Sequence, residues 1–160
     1  MRRRSLLPQS RTAVELARHL LEVSGSHTGS SAKNSRNSRS PHTPPATVVC
    51  ERLRDALIAF VGVAGFQSLL SRALLLASAQ QPALLKVRVL DDGTLSNFEH
   101  IGKDSGDRRF NQQDAAGEVL IVHLLDLLTL LIGEPLMIQI LRGAWPGLPA
   151  RFRSRSEDKS

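Results

Sequence analysis

His123 and Asp126 are acid–base side chains set inside an otherwise apolar run, Val119 to Ile132, where only these two and Thr129 interrupt Val, Leu and Ile. Three residues apart on a helix they lie on one side, so an imidazole and a carboxylate there can act as a general acid–base pair or supply two metal ligands. Catalysis needs a nucleophile at motif spacing and a metal needs a third ligand, and the sequence offers neither beside them. The same two residues serve as a satisfied polar pair in an interface, because a carboxylate among leucines must be neutralised, hydrogen-bonded or wet. We favour that reading, with Val122, His123, Leu125, Asp126 and Thr129 as the expected seam between two copies. A small enzyme with His123 as a base in a bundle cavity is an alternative.

Other chemistry is poorly supplied. One cysteine and five scattered histidines do not make a zinc site. No glycine-rich segment follows a strand and opens a helix, and Gly62-x-x-Gly65 lies inside a helical pattern, so no nucleotide-binding signature is present. Asp91-Asp92-Gly93 begins like a calcium loop, but Leu95 and Gly102 stand where later ligands belong, leaving a turn. No cofactor is expected. Cys50 excludes an intrachain disulfide and fits a small buried hydrophobe in a reducing, cytoplasmic compartment.

The elements that must position these residues read as mostly α. Around His123, the polar positions of the apolar run share their arc with Val119, Val122 and Leu130, so no solvated face remains and the helix must be covered on nearly every side. A core of about one hundred residues has limited capacity to do that alone, which makes a homodimer the expected cover. Upstream, Ala13, Leu16, Ala17, Leu20 and Leu21 fall at helical spacing, with Thr12 and Glu15 at capping-box spacing, so residues 12–23 form an amphipathic helix ended by Ser24-Gly25. Residues 24–46 have almost nothing to bury and read as a disordered linker. This tether would let Leu16, Leu20 and Leu21 anchor in a groove of an unidentified protein partner.

Thr43-Pro44 or Thr47 then caps a helix to about Val61, with Leu53, Leu57, Phe60 and Ala64 inward. The chain breaks at Gly62 to Gly65, and a core-facing helix with Phe66, Leu69, Leu70, Ala73, Leu74 and Ala77 runs to Gln81-Pro82. Leu85, Val87 and Val89 alternate with Lys86 and Arg88, which predicts a β-hairpin around residues 84–98 turned at Asp91-Asp92-Gly93. Residues 99–113 read as a surface loop. Asn111 or Asp114 caps the apolar helix, and Pro135 starts a last one with Leu136, Met137, Ile140 and Leu141 inward. Trp145 covers the core edge, and residues 151–160 form a basic disordered tail.

The segments GVAGFxxLLSRAL (Gly62 to Leu74) and IGEPL (Ile132 to Leu136), with Arg142 and Trp145-Pro146, resemble an uncharacterised group of small bacterial helical proteins. The resemblance spans roughly residues 50–147, rests on packing motifs, and implies no activity.

Charge refines the expected partners. The formal +6 resolves into +6 for residues 1–46, −2 for the helical domain 47–150 and +2 for residues 151–160. Nucleic acid is therefore expected to be held, if at all, through the tails, as a nucleic-acid-associated regulator, since no helix offers a basic face and aromatics are few. The Met-Arg-Arg-Arg start lacks the apolar run of a secretory signal but would suit an organelle transit peptide. The two apolar stretches, of fourteen or fifteen residues, are shorter than a membrane span. The sum is a small bundle of about four helices with an inserted hairpin, acting as a non-catalytic interaction module.

Overall fold

The computed structural model describes residues 11–28, 43–102 and 109–152. Their order is α1 (Arg11–Thr28), α2 (Pro45–Gln80), a 3-10 turn at Pro82–Lys86, β1 (Arg88–Val89), β2 (Leu95–Ser96), a 3-10 turn at Phe98–His100, α3 (Arg109–Ile132), α4 (Glu134–Ala144) and a closing 3-10 turn at Ala150–Phe152. The fold is a small helical bundle with a two-stranded antiparallel hairpin, as the periodicities predict. The expected linker is shorter than residues 24–46: Ser24 to Thr28 continue α1 and Pro45 already begins α2. Residues 29–42 lie outside the described residues, as do 103–108 and the expected tail from 153 onward.

α2 starts without a side-chain cap, contrary to the capping expected of Thr43 or Thr47. Pro45 sits in its first turn, where the missing N–H would have had no partner anyway. The helix stops at Gln81, extended before Pro82. Inside it, Gly62 has φ 75 and ψ 170, and between α3 and α4 Gly133 has φ 85 and ψ 153. Both values lie where a side chain is strained, so each corner depends on glycine. The expected break after Val61 is thus a one-residue corner, after which the helix resumes.

α3 is the centre. From Leu120 to Leu128 every residue is buried, and α1, α2 and α4 all pack on it. Its principal neighbour is α2, and the two approach so closely that a Cβ on Gly117 would stand 2.7 Å from Ala46 Cβ. α1 supplies the cover that the sequence seemed to lack. Ala13, Leu16, Ala17 and Leu20 are fully buried against α2 and α3, and Ser24 is buried too. Burying each leucine is worth about 1.5–3 kcal/mol, so three turns that are marginal alone are held by tertiary packing. The expected roaming helix is therefore part of the bundle. It also runs past Ser24-Gly25 to Thr28, because one glycine in a helix costs only about 1 kcal/mol.

The hairpin is shorter than expected. Leu84 to Lys86 belong to the 3-10 turn, and pairing is limited to Arg88 with Ser96 and Val89 with Leu95. The Asp91-Asp92-Gly93 turn closes with Gly93 N–H donating to Leu90 O at 2.9 Å. Asp92 Oδ1 accepts from the Thr94 hydroxyl at 2.6 Å and the Thr94 N–H at 3.0 Å, which lowers its pKa. Arg54 Nε donates to Asp92 O, tying this turn to α2. At the other end Phe152, expected in the tail, is buried, its ring 5.9 Å from that of His19 on α1.

Candidate functional site

His123 sits in the middle of α3 with Nε2 2.9 Å from Gln80 Nε2 at the end of α2. Nε2 accepts from the Gln80 amide when the ring proton is on Nδ1, and donates to the amide oxygen when the amide is turned over. Burial pushes the His123 pKa down; Asp126, one turn on, pulls it back in part. Both side chains are buried, and neither lines the groove between α2 and α4, that between α1 and α3, or that between α2 and β1. His123 thus meets none of these three grooves among the described residues. Among the described residues no group of three or more His, Cys, Asp and Glu gathers. Burial, with Glu51 adding, pushes the Cys50 thiol up to about 12, so it is not a ready nucleophile.

The expected seam does not reach the surface. Val122, His123, Leu125 and Asp126 are all buried within one copy. Thr129 is half-buried, its hydroxyl 2.9 Å from Leu125 O and 3.1 Å from Met137 Sδ, linking α3 to α4. The anchors expected on α1 fare similarly: Leu16 and Leu20 are buried, leaving no free apolar face for a groove elsewhere. Leu21 is half-buried and lines the groove between α1 and α3, where Arg18 Nε donates to Glu118 Oε1 at 2.9 Å. The structure thus joins buried His123 to exposed Gln80 at the end of α2, with Asp126 one turn on, and buries Leu16 and Leu20 of α1 in the core.

The exposed apolar residues are others. Phe60 is 64% exposed, Leu130 71% and Leu131 57%, with Val63 and Leu136 partly exposed, and all five lie within a few residues of the glycine corners. Phe60, Ala64 and Leu136 were expected inward; all three are exposed, Phe60 in the last turn before the corner at Gly62, Ala64 beyond that corner, and Leu136 facing away from the buried Met137, Ile140 and Leu141. Phe60 and Leu136 line one groove of about 670 Å³ between α2 and α4, which also holds Arg52, Asp55, Ile140 and Gly143. Arg52 Cζ lies 5.7 Å from the ring of buried Trp145, so the first half of α2 runs antiparallel to α4. A second apolar surface, with Leu75 and Leu85 exposed, borders the α2–β1 groove of about 360 Å³.

Sequence reasoning passed over these residues although a signal was present. Pro45–Gln80 and Gln112–Ile132 are both long and apolar enough to cross a membrane by length and composition. They exceed the fourteen or fifteen residues counted from the apolar runs because each helix extends into flanking sequence. In the most apolar eighteen residues of the second, 61% are buried in the bundle; in the first, 22%. No protein-family model matches this chain, and no curated protein or solved structure matches it, so the resemblance over residues 50–147 gains no support from comparison.

Proposed function

We propose that this chain is a non-catalytic protein–protein interaction module that works as a homodimer in a reducing, cytoplasmic compartment. The observation that carries the reading is the exposed apolar surface of α2, where Phe60, Val63 and Leu75 stand open to solvent. An apolar surface rimmed by polar side chains is the physical mark of an association site. Leu130 and Leu131, exposed at the end of α3, add to the apolar area, and these exposed residues replace the Val122-to-Thr129 seam in the proposed meeting of two copies. The buried, high-pKa thiol of Cys50 accords with a reducing compartment.

Sedimentation velocity on the full chain tests this. A dimer across the micromolar range is expected, converted to a monomer of unchanged far-ultraviolet circular dichroism by Phe60→Asp with Leu130→Asp. A wild-type chain that stays monomeric at every concentration sinks the reading.

A further inference from the structure

We propose that the groove between α2 and α4 is the seat of a second copy of this chain, filled by the same groove turned end for end about a twofold axis passing near Ala56 and Ile140. The inference rests on the homodimer reading and adds where and how the copies meet.

The two ends of the groove differ in size. At one end Phe60 and Leu136 project into solvent; at the other Gly143 leaves room beside Arg52. Gly143 has no backbone reason to be glycine, since its φ is not positive. It has no packing reason within one copy either, because an added Cβ would meet nothing within 4 Å. Gly143 lies exposed in the last turn of α4, so its missing side chain leaves an open hollow in the groove wall, and Leu136, two turns earlier on the same helix, is a side chain of the size to fill one. The antiparallel run of α2 against α4 sets Phe60 beside Leu136 and Arg52 beside Gly143. Turning a copy end for end therefore brings Leu136 of each chain over Gly143 of the other, large against small.

The same rotation brings Phe60 of each copy to Arg52 of the other. That guanidinium already faces the Trp145 ring, and a second aromatic face is a favourable neighbour for it. Charge agrees with a self-partner. The groove carries one cation and one carboxylate, Arg52 and Asp55, one turn apart on α2, so a reversed copy presents opposite charges crosswise. Asp55 is also 3.2 Å from Arg54 Nη1, which balances the two carboxylates that approach the axis. Helices paired across such an axis are antiparallel, the favourable sense for their dipoles.

Sedimentation equilibrium on wild type, Gly143→Leu, and the double variant Leu136→Ala with Gly143→Leu decides it. Gly143→Leu should weaken dimerisation by about tenfold or more without lowering the melting temperature of the chain diluted to monomer, and the double variant, with bulk moved from one end to the other, should recover dimerisation. A second readout mixes Leu136→Cys chains with Gly143→Cys chains under mild oxidation; buried Cys50 stays silent. A covalent dimer is expected from the mixture and from neither variant alone. A dimer that ignores Gly143→Leu, gives no mixed cross-link and dissociates with Leu75→Asp would overturn this groove while leaving the homodimer reading intact. A monomeric wild type overturns both.

Discussion

α2 and α3 are similarly apolar helices that meet opposite fates. α3 is enclosed because three helices reach it: α1 on one side, α2 on another, and α4 folded back from Gly133. α2 packs against α3 along one side, but among the described residues its outer side past Gly62 faces solvent, the Pro82–Lys86 turn and the edge of a short hairpin. How apolar a helix is thus sets how much cover it wants. How much it gets depends on where the neighbouring segments are able to lie, and the surplus left over is the surface available to a partner.

That contrast can be broken by substitution. The largest effects belong to the enclosed side: Leu124→Ala and Leu20→Ala should each cost about 2–5 kcal/mol in chemical denaturation, because both leave a cavity in the same core. A single cooperative transition lowered by Leu20→Ala is the specific expectation; a main transition that ignores it would detach α1 from the bundle and leave α3 bare. Gly62→Ala should cost about 1–3 kcal/mol, since its φ of 75 is strained for any other residue, and thermal unfolding would register it.

The buried imidazole gives a pH test on the enclosed side. Its folded pKa lies below the ordinary value near 6.5, so the unfolded chain binds the proton more readily. The corresponding stability is present above that value and is lost as pH falls through it toward the folded pKa. The slope from this one group cannot exceed about 1.4 kcal/mol per pH unit. Urea titrations of wild type and His123→Gln should converge in their pH dependence above neutrality and diverge below it; parallel curves throughout would place His123 in water. The smallest effect is expected outside: Leu75→Ser should change the stability of the isolated chain by no more than about 0.5 kcal/mol, and a larger loss would mean that Leu75 is covered within one copy.

Element types were legible in the sequence where a period dominated. The unbroken Leu120 to Leu128 core, the strand alternation at Arg88 and Val89, the turn at Asp92 and the glycine corner after Val61 all follow from local pattern and local sterics. What pattern could not deliver was enclosure. Ser24-Gly25 carries the composition of a helix end, yet the tertiary contacts that bury Ser24 carry α1 through it. Judged without α1, α3 looked under-covered, and its polar pair looked like a seam. Ala64 read as inward because helical spacing extrapolates across a corner, whereas a positive φ at Gly62 resets which face points in; Phe60 keeps the register of Leu53 and Leu57 but stands exposed in the last turn before the corner. His123 and Asp126 were visible as a pair; their partner Gln80, forty-three positions away, carried no local signal.

The start of α2 lies against the end of α1: a Cβ on Gly25 would stand 3.6 Å from Pro45 Cγ, although sixteen residues separate Thr28 from Pro45. Two antiparallel helices need only a few residues to turn, and the entropic cost of closing a loop grows slowly, by about 0.6 kcal/mol per doubling of its length. The juxtaposed ends of α1 and α2 are therefore a port for grafted cargo. A folded domain whose own termini are neighbours, spliced between residues 28 and 45, would ride on the bundle without prising α1 from its place.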